Sequence, residues 1–476
     1  MGLGATARGL VAYGVLLALA WLWCVHGRRK LVRPRPVLRV VVVGVMLQLA
    51  LGLFILRTPW GRTLFAGLNH AVLALLAYTN DGTRFLVGDL VDSRFTVALN
   101  VLPTVIFFSA LVGALYHMGL MQRVVGGMSW VMRRAMGLSG AETLPAAANI
   151  FIGPTEAPLL VKPYLASMSA PQLFSVMVAG FATVSGGILG AYVGLLRDVF
   201  PEIAGHLLAA SVMNAPISLV VARLLLPAET PSLGESAGLA DGASGRAAVQ
   251  SAVAMAQVSG GEGGEALRCA RSAAPETPVV EKPPAQSVEK PPGEVAAAAN
   301  LVDAVATGAR DGLMLALNIA AMLLAFIAFV ALFDGLMLAL QQGLGRLFGF
   351  VPPSFGLRHL LAWCFYPVGF LLAATPAEAF TVASLLGQKM ALNELIAYRA
   401  LADVMTTPAA LSPPTLLAVT YALCSFANFG TIAIQIGGLG TLAPGQRMTV
   451  ARLGFRGMLG GTLAALFSAA LVLVLA

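Results

Sequence analysis

Runs of about twenty apolar residues recur along this chain, and a polypeptide of that kind must satisfy its backbone N–H and C=O groups inside lipid. Eight such runs are present: Leu10–Val25, Val37–Leu56, Thr96–His117, Gln172–Leu196, His206–Leu226, Gly312–Phe333, Thr415–Ile436 and Gly457–Ala476. Only 11% of the 476 residues are charged, against about 25% in soluble domains, and the mean hydropathy is +0.84. The expectation is an all-α polytopic membrane protein. The basic cluster Arg28, Arg29, Lys30, Arg33, Arg35 follows the first run, where a cleaved signal would have its charge in front. That run is read as a retained helix.

The net charge of +8 does not point to nucleic acid, because the Lys and Arg residues fall mostly in short loops. Such loops orient a membrane protein. Cys24, Cys269, Cys364 and Cys424 lack metal-ligand spacing and are read as unpaired thiols. No phosphate-cradling Gly-Lys-Ser/Thr motif is present, which argues against ATP-driven pumping. The five histidines lack metal-binding spacing, and no Ser/His or paired-Asp arrangement suggests a membrane hydrolase.

Two further segments, 141–168 and 377–404, are moderately apolar, interrupted in the middle, and hold carboxylates. The basic loops decide how they lie. Arg28–Arg39, the group Arg123, Arg133, Arg134, and the group Arg447, Arg452, Arg456 fall on one side only if both segments fail to cross. They are therefore expected to be re-entrant hairpins, with both termini outside the cytoplasm. Residues 229–300, rich in Gly, Ser, Ala and Pro, cannot bury enough apolar surface to fold alone. They are read as a flexible cytoplasmic tether, with a regulatory or partner-binding role as the alternative.

This linker separates two similar halves. After an N-terminal region, 1–95, residues 96–228 and 301–476 each read as a helix, a hairpin and two more helices. An odd number of crossings in each makes them inverted repeats, and broken helices at matching places point to a secondary transporter with a midplane site.

In "NIFIGPTEAPLLVKPY" (Asn149–Tyr164), Gly153 tolerates unusual backbone angles and Pro154 suits a first helical turn. A hairpin tip is expected there, with a new helix starting at about Thr155. The freed carbonyls of Asn149 to Ile152 suit a cation. Glu156, and Glu394 in the second hairpin, are carboxylates of the kind that mark a transport pathway. Local pairing with Lys162 and Lys389 is the plainer alternative for each. In "FANFGTI", Asn428 and Thr431 are three apart and share a helix face, with Gly430 allowing close approach; interhelical packing is the alternative. Thr183 and Ser185 are the matching positions in the first half. Asn214, before Ala215-Pro216, reads equally as a kink or a site. The phenylalanines of "VIFFSAL" (Val105–Leu111) read as helix packing before a ring-stacking shelf.

These stretches, together with "VLPTVIFFSALVGALYHMGLMQ", "LLGQKMALNELIAY" and "YALCSFANFGTIAIQIGGLGTLAPGQR", resemble the concentrative nucleoside transporters, in family order from about Leu99 onward outside the linker. The resemblance implies a homotrimer in the inner membrane. It also implies nucleoside uptake driven by a sodium or proton gradient, and an elevator-like movement. By that resemblance Thr155 and Glu156 lie near the nucleobase, and Glu394, Asn428 and Thr431 near the ribose hydroxyls. Asn149, the Ile152 carbonyl, Thr183 and the Val184 carbonyl surround sodium. Pro154 departs from the family's usual Gln in "GQTE", so base recognition is expected to differ; Gly430 replaces a hydroxyl residue in "FANFSS". A symporter for another small polar solute and a passive channel are the competing expectations.

Overall fold

The computed structural model describes residues 2–26, 34–90, 97–227, 300–348 and 356–475. The linker up to residue 299, Cys269 and residues 28–33 of the first basic loop lie outside the described residues. Every described element is a helix. The N-terminal region supplies α1 (Gly2–His26), α2 (Pro34–Arg57) and α3 (Pro59–Val87). The first repeat runs α4 (Leu102–His117), α5 (Leu120–Met136), a hairpin with α6 (Gly140–Ala148) and α7 (Lys162–Leu165), then α8 (Ala170–Ala182), α9 (Gly186–Leu196) and α10 (Ile203–Leu225). The second runs α11 (Leu301–Phe348), α12 (Leu357–Leu372), a hairpin of α13 (Ala379–Ala391) and α14 (Glu394–Met405), then α15 (Pro413–Leu423), α16 (Phe429–Leu442) and α17 (Arg447–Leu475).

Among the described residues seven helical stretches are long and apolar enough to cross a membrane, and the eighth expected run is occupied by two shorter apolar helices, α15 and α16. The two runs expected to be continuous, Gln172–Leu196 and Thr415–Ile436, are in fact each split in the middle. Thr183 (φ −118°, ψ 167°) and Ser185 (φ −72°, ψ 148°) are extended between α8 and α9, and Asn428 (φ −140°, ψ 167°) is extended ahead of α16. Hydropathy does not register such breaks, because the flanking half-helices stay apolar. A broken helix survives in this setting only where its freed backbone groups find partners in the protein.

Three other differences have local causes. The helix expected from Thr155 does not form: residues after Glu156 make a 3-10 turn, Ala157–Val161, and the four-residue α7. Pro158 and Pro163 each remove a backbone donor there. The run Gly312–Phe333 is the centre of a 48-residue helix, α11, about 72 Å long at 1.5 Å per residue. It packs along α4 through small residues: a Cβ at Gly308 would lie 2.7 Å from the Ser109 carbonyl, and one at Gly312 2.8 Å from the Ile106 Cα. Finally, α5 was not expected as a helix. Its buried residues Met121, Val125, Ser129, Met132 and Met136 form one stripe at helical spacing, opposite Arg123 and Arg134.

The buried core is formed by α8, α9, α10, α15 and α17, whose inward faces are almost wholly enclosed. The two hairpins lean on these central helices, so each tip arrives beside a break.

Candidate functional site

The second hairpin turns at Leu392–Asn393. Asn393 caps α14, its Oδ1 accepting the Ile396 N–H at 2.9 Å. Glu394 is therefore the first helical residue, where the helix dipole favours a carboxylate. It is 4% exposed, and both oxygens are held. The Tyr192 hydroxyl of α9 donates to Oε1 at 2.8 Å, and the Asn428 Nδ2 donates to Oε2 at 2.8 Å. Asn428 is the cap of α16, its Oδ1 accepting from the Thr431 N–H (2.9 Å) and hydroxyl (3.1 Å). Asn428 and Thr431 thus meet as cap and capped residue, where the sequence suggested neighbours on one helix face. Glu394, Asn428 and Thr431 form one continuous network.

The other arm of this hairpin grips the same break. Lys389, 1% exposed, donates to the Ser425 Oγ at 2.6 Å. The alternative of local pairing, Glu394 with Lys389 and Glu156 with Lys162, is absent as a salt bridge among the described residues. Lys389 still acts electrostatically on Glu394. The ring of Tyr398 lies 4.8 Å from that of Tyr192, and its hydroxyl donates to the Thr420 carbonyl at 2.9 Å.

In the first hairpin, α6 is anchored at its start. Glu142 accepts from the Ser139 hydroxyl at 2.8 Å and from buried Arg223 of α10 at 2.6 Å. At the other end the chain turns through Asn149–Gly153. The Gly186 N–H, first residue of α9, donates to the Phe151 carbonyl at 2.8 Å. That bond lays the turn against the break at Thr183–Ser185. Asn149 is 1% exposed, yet neither Nδ2 nor Oδ1 has a partner. Ile152 and Val184 are buried beside it in sequence and along the break. Thr183 donates its hydroxyl to the Ala179 carbonyl at 3.1 Å, leaving the oxygen lone pairs available. Amide, hydroxyl and carbonyl oxygens are the ligands of a hard cation. Among the described residues no group of three His, Cys, Asp or Glu offers a transition-metal site.

The tip residues Pro154 and Thr155 reach α8 and α16. A Cβ at Gly180 would lie 2.9 Å from the Pro154 Cβ and 2.9 Å from the Gln435 Nε2; one at Gly438 would lie 3.0 Å from the Thr155 methyl. Thr431, Gln435 and Gly438 are one face of α16, so the tip of the first hairpin lies along the helix whose cap binds Glu394. Glu156 is exposed, within electrostatic range of Tyr116 and Asp311, and shares no hydrogen-bond partner with Glu394 among the described residues. Gln435 was not singled out from the sequence. It is 1% exposed, donates to the Met177 carbonyl at 3.1 Å, and has an unpartnered Oε1. A lone Gln four residues after Thr431 in an apolar run was the available signal. Phe108 packs on Gly190, a contact between α4 and α9.

Comparisons with known proteins agree along the whole chain. Residues 206–472 match the family described as "Na+ dependent nucleoside transporter C-terminus", 11–90 its N-terminal counterpart, and 98–198 a "Nucleoside recognition" gate family. The chain is 32% identical over 470 residues to "Nucleoside permease NupC" of Helicobacter pylori, covering 97% of this chain and 95% of that one. It is 33% identical to "Sodium/nucleoside cotransporter 1" of Mus musculus, covering 90% of this chain and 59% of the longer mouse protein. Among solved structures, an outward-facing variant of CNTnw superposes with a TM-score of 0.79 at 32% identity, over 100% of this chain and 99% of that one. An inward-facing, substrate-bound CNTnw gives 0.77 at 32% identity, over 99% and 98%. With two re-entrant hairpins set against two broken helices in inverted repeats, this chain belongs to the Na+-dependent, concentrative nucleoside transporter family, whose members are secondary transporters and not enzymes.

Proposed function

We propose that this protein imports nucleosides across the inner membrane in symport with sodium, by an elevator-like alternating access of the hairpin-bearing part. The observation that carries this reading is the Glu394–Asn428–Thr431 network beside the tip of the first hairpin. A buried carboxylate, an amide and a hydroxyl are what vicinal ribose hydroxyls need as partners. Thr155 and Glu156 supply the base side, with Glu156 free of any protein ion pair among the described residues. Pro154 has no donor or acceptor in its side chain, so base selectivity is relaxed or shifted relative to relatives with Gln.

For the ion, Asn149, the Ile152 carbonyl, Thr183 and the Val184 carbonyl form the binding set. Two unpartnered atoms on a buried amide are costly unless something fills them. An all-oxygen set favours sodium over a proton. The long, largely exposed α11 supplies apolar surface for a homotrimer, including Leu313, Leu317, Leu324 and Ile327. The basic groups Arg123, Arg133, Arg134 and Arg447, Arg452, Arg456 put their loops in the cytoplasm and both termini in the periplasm.

Competition tests the substrate class. Uptake of labelled uridine is expected to be inhibited by nucleosides and not by free bases or ribose alone. Equal inhibition by free bases would instead identify a base transporter.

A further inference from the structure

Asn214 lies in the middle of α10, two residues before Pro216, and is wholly buried. Its carboxamide is engaged at both ends. Nδ2 donates to the Ala182 carbonyl at 2.8 Å and to the Cys424 carbonyl at 3.0 Å. Ala182 is the last residue of α8, and Cys424 directly follows the last residue of α15. The two acceptors are thus the carbonyls at the mouths of the two breaks, one in each repeat. Oδ1 accepts from the Ser468 hydroxyl of α17 at 2.5 Å. Ser468 in turn accepts from the Gln48 Nε2 of α2 at 2.9 Å, and Gln48 Oε1 accepts from the Tyr13 hydroxyl of α1 at 2.8 Å.

This chain of bonds fixes which way the amide points. Flipped, its oxygen would face two carbonyls and its N–H groups would face the donor Ser468. A helix that ends inside an apolar interior leaves carbonyls that must find donors. One carboxamide has two N–H groups and can satisfy both ends at once. The breaks are also joined directly, the Phe426 N–H donating to the Thr183 carbonyl at 3.3 Å.

We propose that Asn214 is the positioning residue that couples the ion site to the nucleoside site. It touches neither ligand. It holds Thr183–Ser185, which bears the ion oxygens, in fixed register with Cys424–Asn428, which bears the partner of Glu394. Ordering of one break by its ligand then favours the ligand-ready form of the other. The inference rests on the site assignments proposed above.

The test uses the purified full chain. Uridine affinity is measured in saturating sodium and again in potassium, and the ratio of the two dissociation constants is the coupling. In the wild type sodium is expected to tighten uridine about tenfold or more. Asn214→Asp keeps the shape and an acceptor for Ser468 but removes both donors, and its ratio is expected to fall below about twofold. Ser468→Ala leaves both Nδ2 bonds and removes only the group that orients them; its ratio is expected to lie between. A variant that melts earlier yet keeps the wild-type ratio shows a merely structural role and overturns the proposal. If Asn214→Asp cannot be recovered folded, Ser468→Ala and Gln48→Leu decide: reduced ratios support the coupling role, unchanged ratios overturn it. Glu394→Gln separates this inference from the site reading. If Glu394→Gln binds uridine normally, the site assignment has failed, whatever Asn214 does.

Discussion

Asn428 and Glu394 lie 34 residues apart, on a break and on a hairpin, and the Asn428 carboxamide donates to the Glu394 carboxylate at 2.8 Å. With Tyr192 donating to the other oxygen, Glu394 sits between two donors. Glu394→Gln puts an NH2 group against one of them. The loss is about 3 kcal/mol, or roughly 100-fold in transport efficiency, at unchanged expression. Initial uptake rates in vesicles check this. Retention of wild-type rates would show that the carboxylate does not face the substrate.

Asn149 carries the opposite sign for stability and function. Its two unpartnered buried atoms cost about 1–3 kcal/mol without an ion. Asn149→Leu removes them at similar volume, so the sodium-free protein is expected to melt higher. Sodium should raise the melting temperature of the wild type over an equal concentration of potassium, and leave that of Asn149→Leu unmoved. A sodium-induced rise in the variant would place the ion elsewhere.

Pro154→Gln tests base recognition separately from ribose recognition. Position 154 packs closely on Gly180, with the Gln435 amide against the same glycine, so a longer side chain there must turn away from α8. The added amide is expected to shift the ranking of nucleobases in competition by about tenfold for at least one base. The penalty for removing a ribose hydroxyl from the substrate should stay the same. An unchanged base ranking would mean that the tip does not touch the base.

Lys389 and Ser425 form a buried contact that joins the second hairpin to the second break. Ser425→Ala leaves the ammonium without its hydroxyl partner and is expected to destabilise the protein by about 2 kcal/mol. Lys389→Met removes the buried cation instead. It should cost less stability and more transport, because Glu394 then loses the positive charge that acts on it. Thermal melting together with uptake distinguishes the two; equal effects on both readouts would deny Lys389 an electrostatic role.

Much of this architecture could be read from local chemistry. Gly153-Pro154 announced one hairpin tip, and the interrupted segment 377–404, with Glu394 inside it, announced the second hairpin without marking its tip. Glu156, Glu394, Asn428 and Thr183 stood out as polar residues in apolar runs. The breaks themselves stayed hidden. Neither Thr183–Ser185 nor Cys424–Asn428 contains a proline, and each lies between apolar half-helices. The short arm after Glu156 was misread because Pro154 was taken to start a helix that Pro158 and Pro163 do not allow. Long-range partners were out of reach of any pattern. Asn214 is linked to Cys424 across 210 positions and to Ser468 across 254, and nothing near Asn214 in the chain decides between a kink and a site. Gln435 was missed because one amide in a helix is usually packing.

The most direct test of ion-coupled nucleoside uptake is accumulation of labelled uridine and adenosine in sealed proteoliposomes, with sodium and proton gradients imposed one at a time. An inward sodium gradient alone is predicted to concentrate nucleoside above the outside level, and Glu394→Gln to abolish that accumulation. Equilibration without accumulation under either gradient, or accumulation driven by protons alone, would contradict sodium-coupled symport.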